Sequence, residues 1–452
     1  MGEAAVKVRG LTEQRKARRR RWRIGGTLAL LLCLAGGGAY WLTRDALPDG
    51  VVAATPLSNS VISVWLDATH RTALALYGRW ASPSDVHRFA VIAGERGTVI
   101  HDVALGEYMP ATMAVDERSG HVLVTYMDSD SATLVDNRSG RIIRSLRLPF
   151  HPFGTLFNPD TGNAVVSARA ANRYLAAILD LQTGSVRRTI ALQAQGPAYG
   201  AGPPTLDATA HRILITSPGG VNVLEARSLR LIRFTPIATG DTDKVIVDSQ
   251  THRAYVTLVN SPAPPCPATN RVCGRTIGAY VVIDARTGRL LHPRVMIPGT
   301  GAIGAIGLSE RQQRLFVSDY MIYGNRRDNQ VYVVDARTGR PLAPIRTSGH
   351  ATTIAVDDKS NLMVAGSQGG IDAADTRAGT LLNHIPLPVD RIWGIDVKGN
   401  YVVSTADAAA PDKPGLFDRV RAFLNTAGAS IGVNVHSNSS VDIVHIDARQ
   451  RR

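Results

Sequence analysis

The sequence predicts an all-β chain folded as a β-propeller of four-stranded blades, and three observations carry that expectation. A strand–turn–strand phrase repeats: Val281-Val282-Ile283-Asp284-Ala285-Arg286-Thr287-Gly288-Arg289 returns as Val331-Tyr332-Val333-Val334-Asp335-Ala336-Arg337-Thr338-Gly339-Arg340. The β-branched run favours extended backbone. The Asp can bond the chain two residues on, and Gly accepts the left-handed turn position. Each such phrase follows a second hairpin, marked at Asp67, Asp116, Asn158, Asp207, Asp248, Ser309, Asp357 and Asp396, a spacing of 39 to 61 residues. Units of ~40–50 residues holding four strands are the length of a propeller blade. These segments also lack the 3.6-residue periodicity that helical solenoids need, while 42 Gly and 24 Pro punctuate the chain. The count is eight units, with seven as the alternative.

Taken in order, residues 1–23 form a basic tail with nine Lys and Arg against Glu3 and Glu13, half of the chain's net charge of +14. Such a run can signal nucleic acid. Here Ile24 to Leu42 follows at once, 19 residues without a charge. As a helix that stretch is about 28 Å long, close to the bilayer core. A basic flank before an apolar span places the N-terminus in the cytoplasm. The tail is therefore read as topogenic, with no nucleic-acid partner. Gly37 and Ala39 leave cleavage open; the length of the span favours a retained signal anchor. The expected location is the bacterial inner membrane, single pass, with the propeller on the periplasmic side.

Residues 43–56 read as a linker. Val51-Val52-Ala53-Ala54 inside it is a candidate strand. It matters because the last unit has only three strand segments, around Ile395, Val402 and Val441–Ile446. An unpaired edge is sticky, so residues 51–56 are expected beside Val441–Ile446, closing the ring of residues 57–452. Insertions break the period at 260–276 and 406–440. The first holds Cys266 and Cys273 among four prolines. On an exported loop this spacing predicts a disulfide; a Cys pair without a nearby His predicts no metal. In the second, Leu416, Phe417, Val420, Phe423 and Leu424 share one face of a short helix.

The pattern of Pro, Ala-Val-Asp, Gly turn, Tyr-Val-Thr, then Val-Ile-Asp before Thr-Gly resembles the YVTN-type β-propeller repeat. Tyr255-Val256-Thr257 matches it almost literally, Pro110 to Thr125 follows it, and the resemblance spans about residues 57–449. It implies a seven-bladed propeller, often on bacterial surfaces, with lactonase-like and quinoprotein-like relatives. The eight units counted here depart from that number.

Propellers bind ligands where the loops before the inner strands converge. Counting back from the repeated Asp position places His151, Asp241, Asp243 and His350 there, with Asp390 and Arg391 leading into the last unit. Two His and two Asp around a funnel could hold a cation or polarise a carbonyl; they are also ordinary lining of a wet channel. No Cys-x-x-Cys-His occurs, which argues against c-type haem. Arg289 and Arg340 stand after the Thr-Gly turns, where quinoprotein propellers place Trp. Gly-x-Ser-x-Gly is absent. The cofactor stays unknown. The expected function is a binding platform for an envelope protein, peptide or glycan. The alternatives are a lactonase-like or lyase-like enzyme at the funnel, and a quinoprotein-like redox domain.

Overall fold

The computed structural model describes residues 51–445 apart from 58–60, 68, 79–85, 95–96, 172, 196–200, 238–240, 260–277, 299, 301–302, 320–328, 368, 388, 399–400 and 409–438. The basic tail, the apolar span, the Cys266–Cys273 pair and the helix expected around Leu416 therefore lie outside the described residues. Among the described residues the strands form eight four-stranded antiparallel sheets. Sheets 1 to 7 are consecutive meanders over residues 61–106, 110–147, 151–191, 205–236, 241–296, 303–346 and 351–386. Sheet 8 takes Val389–Lys398, Tyr401–Ala408 and Ser439–His445 from one end of the chain and Val51–Leu57 from the other. Ala54 faces Asp442 and Thr55 faces Val441 in antiparallel register. The outermost strand of the last sheet thus comes from the start of the propeller, and that sheet has its full four strands. The insertion read as 406–440 is shorter at both ends, because 406–408 and 439–440 are paired strand.

The first strand of each sheet packs on the first strand of the next, and Val389–Lys398 of sheet 8 packs on Val61–Asp67 of sheet 1. The sheets therefore close a ring, and all-β propeller is the observed class. Its core is distributed, with one apolar layer between each pair of neighbours. Leu74, Leu76 and Phe89 of sheet 1 meet Val122, Val124 and Tyr126 of sheet 2. Tyr255 and Tyr280 of sheet 5 meet Leu315 and Val317 of sheet 6. Fully burying such a side chain stabilises by about 1.5–3 kcal/mol.

At one end of the ring sheets 1 to 7 make their turns from first to second strand and from third to fourth. The first of these turns passes through a left-handed residue: Arg71, Gly120, Gly162, His211, His252, Gln313 and Asn361 have φ between 51° and 80°. A residue with a Cβ pays about 1–2 kcal/mol there, yet five of these seven carry one. For three of them the side chain bonds across a seam. His252 Nδ1 meets Asp207 Oδ2 at 2.9 Å, His211 Nδ1 meets Asp160 Oδ2 at 2.5 Å, and Gln313 Nε2 donates to Asp248 Oδ2 at 2.6 Å. Each bond reaches back to the preceding sheet.

Where glycine holds the position, other groups make the link. Asn137 Nδ2 of sheet 2 donates to Asp67 of sheet 1 at 3.2 Å, and Asn158 Nδ2 of sheet 3 donates to the Ala226 carbonyl of sheet 4 at 3.0 Å. Asp396 of sheet 8 accepts the Leu66 N–H of sheet 1 at 2.8 Å, and Ser309 of sheet 6 donates to Asp358 of sheet 7 at 2.5 Å. Six of the eight period-marking positions thus latch neighbouring sheets. Asp67, Asn158, Asp207, Asp248 and Ser309 are 0% exposed, where a lost partner is costly.

Candidate binding site on the loop face

At the opposite end lie the connections from second to third strand and from each sheet to the next. The first strands meet this end through a bulge, with register shifts at Pro110/Thr112, Pro152/Gly154, Thr242/Val245, Ile303/Ile306 and Ala351/Thr353. A bulge inserts one unpaired residue and re-aims its side chain. Counting back from the repeated Asp does place His151, Asp241, Asp243 and His350 at this end, but the bulge decides where each side chain points.

His151 opens the first strand of sheet 3 and is half-buried, its Nδ1 3.4 Å from Asp130 Oδ1 of sheet 2. Its ring stands edge-on to Phe153, with centroids 5.8 Å apart. Across the strand pair it faces Arg169, and directly opposed residues send their side chains to the same face of a sheet. Arg169 is itself steadied, its Nε donating to the Ala171 carbonyl at 2.9 Å. These residues line a cavity of about 420 Å³ at the seam of sheets 2 and 3, together with Pro149, Phe150 and Ala170. That volume lies within the range of small-ligand sites.

His350 has the same offset and a different setting. It is 3% exposed, and neither ring nitrogen has a hydrogen-bond partner among the described residues. It is closed to a ligand. Asp243 sits on the bulge of sheet 5, where burial pushes its carboxyl above the usual range and the neighbouring Lys244 partly opposes that. Lys244 Nζ donates to the Gly304 carbonyl of sheet 6 at 2.7 Å. Asp241, Asp390 and Arg391 lie in the first strands of sheets 5 and 8, their side chains outside the described residues. Among the described residues no three His, Cys, Asp or Glu side chains gather where they could hold a metal ion.

Sequence reasoning missed Asp130 and Arg169. Arg169 lies at the loop end of the second strand of sheet 3 and Asp130 just before the third strand of sheet 2; no repeated phrase marks either, and pairing Arg169 with His151 requires the register beyond a bulge. It also missed Tyr108 and Met127, exposed at 52% and 38% at the loop end of sheet 2; the Tyr108 ring stands 6.1 Å from that of Tyr126, which packs towards sheet 1. The Met127 N–H donates to the Met109 carbonyl at 2.9 Å, and the Met109 N–H donates to Asp128 at 2.9 Å, tying the two connections together.

No protein-family model matches the chain, and no curated protein sequence matches it. Solved structures do. The crystal structure of the computationally designed Ika8 protein aligns with a TM-score of 0.59 at 14% identity, covering 88% of this chain and 100% of that one. BamB from Moraxella catarrhalis aligns with a TM-score of 0.55 at 13% identity, covering 87% of this chain and 99% of that one. At such identities the likeness bears on the fold alone.

Proposed function

We propose that this chain is a protein-binding propeller of the YVTN type, tethered to the bacterial inner membrane by Ile24 to Leu42 and displayed in the periplasm. The partner is an envelope protein or peptide, taken on the loop face. One observation supports this most: the loop end of sheet 2 carries exposed Tyr108 and Met127, and the same end holds a cavity that combines Phe150, Phe153, Arg169, His151 and Asp130. Aromatic residues, Met and Arg are enriched in protein interfaces, and a rigid sheet scaffold presents loop residues without moving. The anchor and the compartment rest on the sequence, through the basic flank and the uncharged span.

Photo-crosslinking in cells tests the reading. A photoreactive amino acid at Met127 or Tyr108 is expected to give a discrete protein adduct, and one at Arg118 in a turn at the other end is expected to give none. Adducts from Arg118 alone would overturn it.

A further inference from the structure

The seam cavity has a polarity that specifies more than a generic surface. On the sheet 3 wall, Arg169 and His151 stand side by side as cross-strand neighbours. The Arg169 Nε is held by the Ala171 carbonyl at 2.9 Å, which fixes the plane of the guanidinium. Ala171 adopts a left-handed φ of 49°, so the backbone there is bent to present its carbonyl. On the sheet 2 wall stands one carboxylate, Asp130, 61% exposed in its side chain. The apolar walls are Pro149, Phe150, Phe153 and Ala170.

We propose that this cavity takes the free carboxyl end of a partner polypeptide whose last residue is apolar. The inference rests on the loop face being the docking face. A planar, pre-oriented guanidinium matches a carboxylate in a two-point contact. The terminal residue carries its carboxylate and its amide N–H on either side of one Cα. Arg169 takes the first and Asp130 accepts from the second, while the side chain lies against Phe150 and Phe153. A dicarboxylate would set its second charge against Asp130, and an ammonium ligand would set its charge against Arg169. About 420 Å³ suits one or two residues rather than a folded element.

The test is calorimetric titration of the full chain in detergent micelles with three probes: N-acetyl-phenylalanine, its carboxamide, and the tetrapeptide Ala-Ala-Ala-Phe. The free acid and the tetrapeptide are expected to bind, the tetrapeptide at least as tightly, and the carboxamide at least ten-fold more weakly. Arg169→Gln is expected to weaken the acid ten-fold or more with an unchanged melting midpoint, and Arg169→Lys to recover part of the loss. Ala170→Leu, which fills the cavity, is expected to abolish binding and serves should the Arg169 variants unfold. Equal binding of acid and amide, no binding of the acid, unchanged affinity in Arg169→Gln, or binding of the small acid but not the tetrapeptide would each overturn the proposal. Adducts from Met127 together with any of these failures would leave the docking face standing and remove only this ligand.

Discussion

At the turn end of the ring, the connections repeat the same backbone turn at the same offsets, each of the described first turns passing through one left-handed residue. At the loop end they run from two residues at 171–172 to thirty at 409–438. The turn end carries bonds between sheets: Arg212 donates to the Arg286 carbonyl at 3.2 Å, Arg253 to that of Arg337 at 3.2 Å, and Arg314 to that of Thr376 at 2.8 Å. The loop end carries the cavity, the exposed Tyr108 and Met127, and the buried His350, whose ring has no hydrogen-bond partner among the described residues. One end is constrained because each turn must serve its own hairpin and its neighbour. The other is free to vary because its connections leave the paired backbone.

The largest expected effect falls on the turn end. Gln313→Ala keeps the left-handed backbone and strips a partner from buried Asp248. It should cost about 1–3 kcal/mol, seen as a lower urea midpoint. Gln313→Gly should cost about 1 kcal/mol less, since it relieves the backbone. If neither variant moves the midpoint, the latches carry no stability and the contrast between the ends fails.

Next is Gly288→Ala. Gly288 has φ of +72°, and an added Cβ would lie 2.8 Å from the Arg233 side chain, whereas at Gly162 an added Cβ meets nothing within 4 Å. Gly288→Ala should cost about 1–2 kcal/mol, and Gly162→Ala less than that.

A third test uses acid. Burial alone would push the Asp180 carboxyl up, but the Thr183 N–H, the Arg187 guanidinium, the Gln182 N–H and the Thr183 hydroxyl hold it down at about 2. Asp136 and Asp335, in equivalent turns, are also lowered by hydrogen bonds despite burial. A folded-state value below the unfolded one means stabilisation that is present above the unfolded value and lost as pH falls towards the folded one. Unfolding free energy should therefore drop between about pH 4 and pH 2, and Asp180→Asn should flatten that slope. A slope identical in the variant would contradict the assignment. The smallest effect is expected at the loop end, where Met127→Ala should stay within about 0.5 kcal/mol of the parent.

The fold was legible because the turn end repeats itself. Asp284-Ala285-Arg286-Thr287-Gly288 announces a turn, and the last unit falling one strand short pointed to residues 51–56 as the missing partner, where the structure has the strand Val51–Leu57. Leu229 shows where the pattern hides. It holds the left-handed place of Gly288 with φ of 53°, and its side chain is fully buried between sheets 3 and 4. The candidate site was legible only in part. His151 came from counting back along one strand. Arg169 and Asp130 come from a different strand and a different sheet, joined by a register that shifts at Pro152/Gly154. The same count gave His350, whose burial no offset could reveal.

Hydrogen exchange on the full chain measures the division between the two ends most directly. The Gly288, Gly339 and Gly379 N–H groups each donate to the Asp four residues earlier at 2.8 Å. These amides should exchange with the slow, cooperative core, while Asp128 to Asp130 and Ala170-Ala171 exchange orders of magnitude faster. Fast exchange at the three glycines with slow exchange at 128–130 would contradict the account.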